Sequence, residues 1–252
     1  MPDPRFFVEE LSTGTIRLSD AETRHAQSSK RLSVGESVVL FDGRGNQAAG
    51  RIVSVALRGT DVAVEPIEHR ARLVPTLTLA VALPKGPRQD TLVEKCTELG
   101  VAAIWPILTQ RTVSQASEHK LVKWRRKTIE AAKQSGQCWL PDLHPPCPLA
   151  DVLHKASRFE LVLAAMTQVG CQHSAPILAQ LAQRPAACSI LAFVGPEGGW
   201  TPQETAALTA AGAQSVSLGP NILRIETAAM AIAALVHAFD RQKPGQDSLP
   251  PL

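Results

Sequence analysis

Two short stretches near the C-terminal end of this 252-residue chain combine glycine, acid and base in a way suited to holding a small molecule. In the first, the apolar run ending at Val194 meets Gly195, Pro196, Glu197, Gly198 and Gly199, and then a helix start. Thr201 stands as N-cap, Pro202 as the first helical residue and Glu204 three places after the cap, where it can close a capping box. Glycine lets backbone approach a ligand where a side chain would collide. In open α/β sheets this strand-to-helix corner is where small molecules bind. The same residues also suit a tight loop whose glycines serve only its turns. In the second stretch a strand over 215–218 meets a Gly219-Pro220 turn, passes Arg224 and Glu226, and opens an alanine-rich helix. Arg224 and Glu226 stand where the chain leaves the turn, within reach of a ligand; as a mere local ion pair they contribute little if exposed. Ile232, Leu235, Val236 and Phe239 recur at helical spacing and form either core or a dimer surface.

The elements around these corners fall into two kinds. The first 70 or so residues read as short strands, at 6–8, 15–18, 37–41, 49–56 and 61–65, with a capped helix from Ser19 or Asp20 through Leu32 and a Gly/Asp turn at 42–46. Such spacing suggests a small β barrel. Residues 70–75 read as a linker. Beyond it, strands at 76–83, 102–108, 159–165 and 189–194 alternate with helices at 87–99, 121–134 and 176–182, the pattern of a mostly parallel sheet covered by helices. The four-proline segment 137–150 reads as a connecting loop. The expected domains are therefore 1–72 and 73–252.

Composition narrows the function classes. With 44% hydrophobic and 19% charged residues the chain can bury a core and is not a disordered type. No apolar run approaches the ~20 residues of a membrane span, and the start Met-Pro-Asp-Pro-Arg does not read as a signal peptide. Five scattered cysteines without a CxxC, and histidines without a cluster, point to a reduced cytoplasmic protein with no metal. Net charge is only +3, but residues 73–145 hold ten basic against six acidic side chains. The surplus concentrates at 120–127, where Lys120, Lys123, Arg125, Arg126 and Lys127 surround Trp124. That cluster can grip phosphates without reading sequence, or form a solvated helix face with Trp124 packed inward. No GxGxxG follows an early strand, which counts against a dinucleotide enzyme.

Taken together, the motifs resemble a known family. Phe193-Val-Gly-Pro-Glu-Gly-Gly199, Leu218-Gly219 and Ile222-Leu-Arg-Ile-Glu-Thr-Ala228 are similar to those of the SPOUT-superfamily methyltransferases that modify uridine N3 in small-subunit ribosomal RNA. Lys95-Cys-Thr-Glu-Leu-Gly-Val101 and Glu130-Ala-Ala-Lys-Gln-Ser-Gly136 agree, with weaker echoes at Arg5-Phe-Phe, His25, Arg31 and Leu40-Phe-Asp-Gly43. The resemblance implies a PUA-like, RNA-binding barrel followed by a trefoil-knotted α/β domain, a homodimer, S-adenosylmethionine as cofactor, and ribosomal RNA or the small ribosomal subunit as partner. It would place the cofactor among Val194, Gly195, Pro196, Gly198 and Gly199 of one corner and Leu218, Gly219, Ile222, Leu223 and Thr227 of the other. A third loop at Met166 and Thr167 would complete the pocket. Glu197 and Glu226 become candidate bases for the uracil N3 proton, and Arg224 the cation for developing negative charge. Arg5, Arg31, Lys85, Arg88, Lys123, Arg125 and Arg126 become candidate RNA contacts. Gln137 and Asn221 stand where members usually carry arginine, which bears on the RNA target more than on the reaction. The alternatives are a SPOUT-type methyltransferase acting on another RNA nucleotide and a non-catalytic RNA-binding protein of the same fold.

Overall fold

The computed structural model describes residues 3–56, 59–114, 116–167, 172–173 and 188–238. These divide into two compact units, Met1–Arg72 with Ile129–Leu140, and Leu73–Thr128 with Pro141–Gln246. The expected helix over 176–182, and Phe239, lie outside the described residues.

The first unit is a six-stranded sheet of β1 (Arg5–Phe7), β2 (Gly14–Arg17), β3 (Ser37–Phe41), β4 (Asn46–Ala56), β5 (Gly59–Val64) and β6 (Glu68–His69). The strand order is β1-β3-β4-β5-β2, with β6 also on β4; β1 and β3 are parallel and the other pairings antiparallel. Along β4, Ala48, Gly50 and Ile52 are buried while Ala49, Arg51 and Val53 are exposed. That period of two is the mark of a sheet with one covered face. Phe6, Val38, Leu40, Ile52 and Val62 fill that side. The hairpin at 42–46 forms as expected: Asp42 Oδ1 accepts from the backbone N of Arg44 at 2.7 Å and of Asn46 at 3.2 Å. The helix after Ser19 is shorter than its pattern predicts. It runs as α1 (Asp20–Arg24), passes into a π-helical turn at His25–Ser29 and stops before Arg31, whose φ is +54°. Residues 129–140, expected with the second domain, belong here because Ala132, Cys138 and Leu140 pack on Phe7 and Phe41. Lys133 and Glu22 form a buried ion pair at 2.7 Å in the same unit.

The second unit holds an eight-stranded sheet in which every pairing is parallel. Its strands are β7 (Thr76–Ala82), β8 (Ala103–Leu108), β9 (Asp142–Leu143), β10 (Cys147–Pro148), β11 (Leu161–Ala165), β12 (Gln172–His173), β13 (Ser189–Val194) and β14 (Gln214–Ser217). The order is β10-β8-β7-β13-β11-β14-β12, with β9 also on β8. Six consecutive buried residues in β7 show why this reads as a continuous apolar run: both faces are covered. On one face α2 (Arg88–Glu98) and α6 (Ile225–His237) pack Leu92, Val93 and Cys96 near Ala229, Ile232 and Val236. On the other lie α4 (Leu149–Leu153) and α5 (Pro202–Ala210), through Val152 and Leu208. The long helix α3 (Glu118–Ser135) has residues in both units. The segment 137–150 is not loop throughout, since β9 and β10 both pair with β8. Two-residue strands are too short to leave a periodic signal.

Candidate functional site

Strands β13, β11 and β14 are neighbours in the sheet although β11 precedes β13 in the chain. Because all three are parallel, the loops leaving their C-terminal ends meet at one edge. They enclose an open cavity of about 330 Å³, the scale of a small-molecule site. Met166 and Thr167 come from the loop after β11, Val194, Gly195, Pro196, Glu197, Gly198 and Gly199 from that after β13, and Leu218, Gly219, Ile222 and Leu223 from that after β14. Eleven of the twelve residues expected around a ligand therefore line it; Thr227 is exposed on α6 and does not. As the third residue of the helix it points away, whereas Ile225 and Ala228, three positions apart on one side, face the cavity.

The glycines have physical reasons. A Cβ on Gly195 would lie 2.7 Å from Cε2 of Trp200, whose Nε1 donates to the Ala165 carbonyl at 3.1 Å. That indole ties the β13 loop to the C-terminal end of β11, and only glycine leaves room for it. Gly199 and Gly219 take φ of +71° and +130°, left-handed backbone that suits glycine. The capping box of α5 forms as its sequence predicts: Thr201 Oγ1 accepts from the Glu204 amide at 3.2 Å, and Glu204 Oε2 from the Thr201 amide at 2.9 Å. Glu204 does more than cap, because its Oε1 accepts from the Gln110 amide at 2.8 Å. One residue on, Arg111 Nη1 donates to the Gly198 carbonyl at 2.6 Å and its side chain lines the cavity. Neither Arg111 nor Trp200 is singled out by sequence reasoning. Nothing in the local pattern around either reports a contact made between strands so far apart in the chain.

The charged candidates separate. Arg88, expected at RNA, instead turns to the candidate acids: its Nη2 stands 2.7 Å from Glu197 Oε1, and its Nη1 3.9 Å from Glu226 Oε2. Glu226 is buried, and that Oε2 has no hydrogen-bond partner. Arg224 caps α6 with its backbone alone, is exposed, and has no ion-pair partner among the described residues. It lies between Leu223 and Ile225, which both line the cavity. Glu226 and Arg224 do not themselves line it. Among the described residues no group of three or more His, Cys, Asp or Glu is placed to hold a metal ion.

A family model described as an RNA methyltransferase domain matches residues 72–237, and one described as an RNA methyltransferase PUA domain matches residues 18–58. This chain belongs to that RNA methyltransferase family. The ribosomal RNA small subunit methyltransferase E of Synechocystis is 35% identical over 92% of this chain and 75% of its own length. The protein of that name from Mycobacterium bovis is 32% identical, covering 89% and 87%. The S-adenosylmethionine-bound crystal structure of the Neisseria gonorrhoeae enzyme of the same name has a TM-score of 0.82 at 32% identity, covering 92% of this chain and 96% of that one. A methyltransferase of Legionella pneumophila, also crystallised with that cofactor, has a TM-score of 0.82 at 27% identity, covering 94% and 98%.

In this RNA methyltransferase the remaining basic candidates are not equivalent. Arg5 is half-buried within the first unit, where its Nη2 donates to the Gln137 carbonyl at 2.9 Å and its guanidinium lies 5.1 Å from the Phe41 ring centre. Those contacts withdraw it from a phosphate backbone. Arg31, Lys85, Arg125 and Arg126 are exposed. On α3, Trp124 packs fully inward, as one of the two sequence readings has it. Asp90 of α2 meets Lys120 at 2.9 Å, Lys123 at 2.5 Å and the Trp124 Nε1 at 3.1 Å, and Glu94 meets Lys127 at 2.5 Å. The lysines of the basic cluster are thus answered by acids of the neighbouring helix.

Burial alone would raise the Asp90 pKa, but hydrogen bonds from Lys123, Lys120 and Trp124 outweigh it and bring it down to about 2. A depressed carboxylate stabilises the fold above its unfolded pKa of about 3.9, and that contribution is lost as pH falls toward 2. Urea titrations between pH 5 and pH 2 should therefore show a steeper acid loss for the wild type than for Asp90→Asn. Parallel curves would remove Asp90 from the account of acid stability.

Proposed function

We propose that this chain uses S-adenosylmethionine to methylate N3 of a uridine in small-subunit ribosomal RNA. The main support is the single cavity to which β11, β13 and β14 each send a loop, with Trp200 lying over Gly195 and left-handed glycines at 199 and 219. The family and the cofactor-bound relatives point the same way. The residues present fit the cofactor. The Gly195–Gly199 and Leu218–Leu223 backbones offer close polar edges to an adenine, and Met166, Val194, Leu218 and Ile225 supply apolar walls. When bound, S-adenosylmethionine supplies a methyl group activated on a positively charged sulfur.

The chain then has two tasks, alignment and charge control. In-line displacement needs donor carbon and acceptor nitrogen held in register, a role for the walls and for the loop that Arg111 and Trp200 hold down. Uracil N3 must also lose its proton as the N–C bond forms. Glu226, buried and with Oε2 lacking a hydrogen bond, suits the acceptor of that proton better than Glu197, which Arg88 holds at 2.7 Å. Arg224 suits the negative charge developing on O2 or O4. The same reading assigns RNA binding to the first unit, residues 1–72 with 129–140, cofactor binding to the second unit with its trefoil knot, and a cytoplasmic location where ribosomal RNA is found.

It also assigns a homodimer, for which α6 offers a specific observation. Ile232 and Val236 are core, but Thr227, Met230, Ala231, Ala234 and Leu235 form a second, mostly apolar stripe that is exposed or half-buried in the single chain. A stripe at this spacing beside the cavity suits a second copy packed there.

The test is incubation of the purified protein with labelled S-adenosylmethionine and small subunits or ribosomal RNA lacking the modification. Mass spectrometry should locate one new methyl group on a uridine N3. Tight cofactor binding with no methyl incorporated into any RNA would overturn the reading.

A further inference from the structure

Around Trp139 the first unit gathers charge that the methyl-transfer site does not use. The indole rests against Gly45, where an added Cβ would lie only 2.4 Å from Cζ2. Its Nε1 donates to the Arg70 carbonyl at 2.8 Å, and its backbone bridges Arg44. The Arg72 guanidinium lies over the ring, 4.5 Å from its centre, and His69 meets the ring edge-on at 5.7 Å. Gln47, with its amide oxygen turned to Arg70, accepts from Nε at 2.9 Å and from Nη2 at 3.1 Å. Two guanidiniums are therefore held in place by neutral groups, one by an indole and one by an amide.

Neutral partners leave the charge uncompensated. None of Arg44, Arg70 and Arg72 has a carboxylate partner among the described residues, and Arg44 and Arg70 are exposed. The nearest acid in the turn, Asp42, is occupied by the Arg44 and Asn46 amides and by Asn46 Nδ2 at 2.6 Å. Glu68 on β6 is exposed and in no ion pair among the described residues. The contrast with α3 decides between the two basic surfaces, since Lys120, Lys123 and Lys127 already meet Asp90 and Glu94.

We propose that Trp139 and Arg72 form a stacking platform for an unpaired RNA base, with Arg70 and Arg44 placed for the flanking phosphates. A guanidinium held over an indole, here 4.5 Å from its centre, adds a planar, cationic group of the kind on which unstacked bases sit. Exposed guanidiniums beside it suit the bidentate geometry of phosphate. An acidic protein segment would use the charge but has no need of the fixed plane. The platform rests on the reading of this protein as an enzyme acting on RNA, and deepens it by naming a surface for the single-stranded part of the substrate.

Fluorescence anisotropy with a labelled single-stranded RNA tests it, on full-length protein without cofactor. Arg72→Gln should weaken binding about tenfold at fixed salt and make the salt dependence shallower by about one charge. Arg70→Gln should alter the salt slope with a smaller loss. Trp139→Phe, which keeps an aromatic face, should bind more tightly than Trp139→Ala. Circular dichroism and an unchanged thermal shift with S-adenosylmethionine would establish that the variants remain folded. Inorganic polyphosphate is the control ligand: equal weakening toward polyphosphate and RNA would overturn stacking and leave a simple anion site. Wild-type affinity in Arg72→Gln would overturn the platform itself. Failure of the wild type to bind any RNA would instead remove the functional reading, and the platform with it.

Discussion

Arg224→Ala is expected to lower methyl transfer by two orders of magnitude or more, with thermal stability unchanged. Both halves follow from the position. The side chain is exposed, makes no cap to α6, and has no ion-pair partner among the described residues, so its removal takes nothing from the fold. The helix keeps its first turn through the Ala228 amide, which donates to the Arg224 backbone carbonyl at 2.9 Å. An unpaired guanidinium between two cavity-lining residues is, however, well placed to meet an anion developing on a bound base. Removal of one such group from a transition state commonly costs a factor of about 100 to 1,000. Turnover with labelled donor, measured beside a melting curve, is the check. Near-normal turnover would take Arg224 out of the chemistry, and a large drop in melting temperature would make its role structural.

Gly195→Ala is the second large effect, and it acts through packing. The new methyl group would lie 2.7 Å from the Trp200 ring, so the indole must move and give up its hydrogen bond to Ala165. Overpacking of this kind costs about 1–3 kcal/mol, a few degrees per kcal/mol in a protein of this size. The larger loss falls on the cavity, where that bond holds the β13 loop to the end of β11. Stabilisation by S-adenosylmethionine grows as the logarithm of its concentration over Kd. The melting shift at a fixed cofactor concentration should therefore shrink strongly in the variant. A full wild-type shift would show that the ring and the glycine do not govern cofactor binding.

Some of the molecule was open to reading from its residues. The alternation of strands and helices beyond residue 75 announced a parallel sheet, and the short strands with Gly/Asp turns before residue 66 a separate β domain, because each pattern is carried by short stretches of chain. The Thr201–Glu204 box announced the start of α5 to the residue, since capping is satisfied within four residues of chain. The two glycine corners identified the cavity for the same reason: close backbone approach and left-handed φ are local demands.

What these cases share is range. A helix cap, a turn or a strand period is determined by neighbours in sequence, and for those the amino-acid order alone was sufficient. The tertiary structure alone decided which loops became neighbours, through the placement of β11 between β13 and β14. It also decided where the charges went. Arg88 turned to Glu197 instead of solvent, Arg5 to Gln137, the α3 lysines to Asp90 and Glu94, and Arg111 to Gly198. A long cationic side chain reaches whichever acceptor folding brings near, and strands tens of residues apart set that distance.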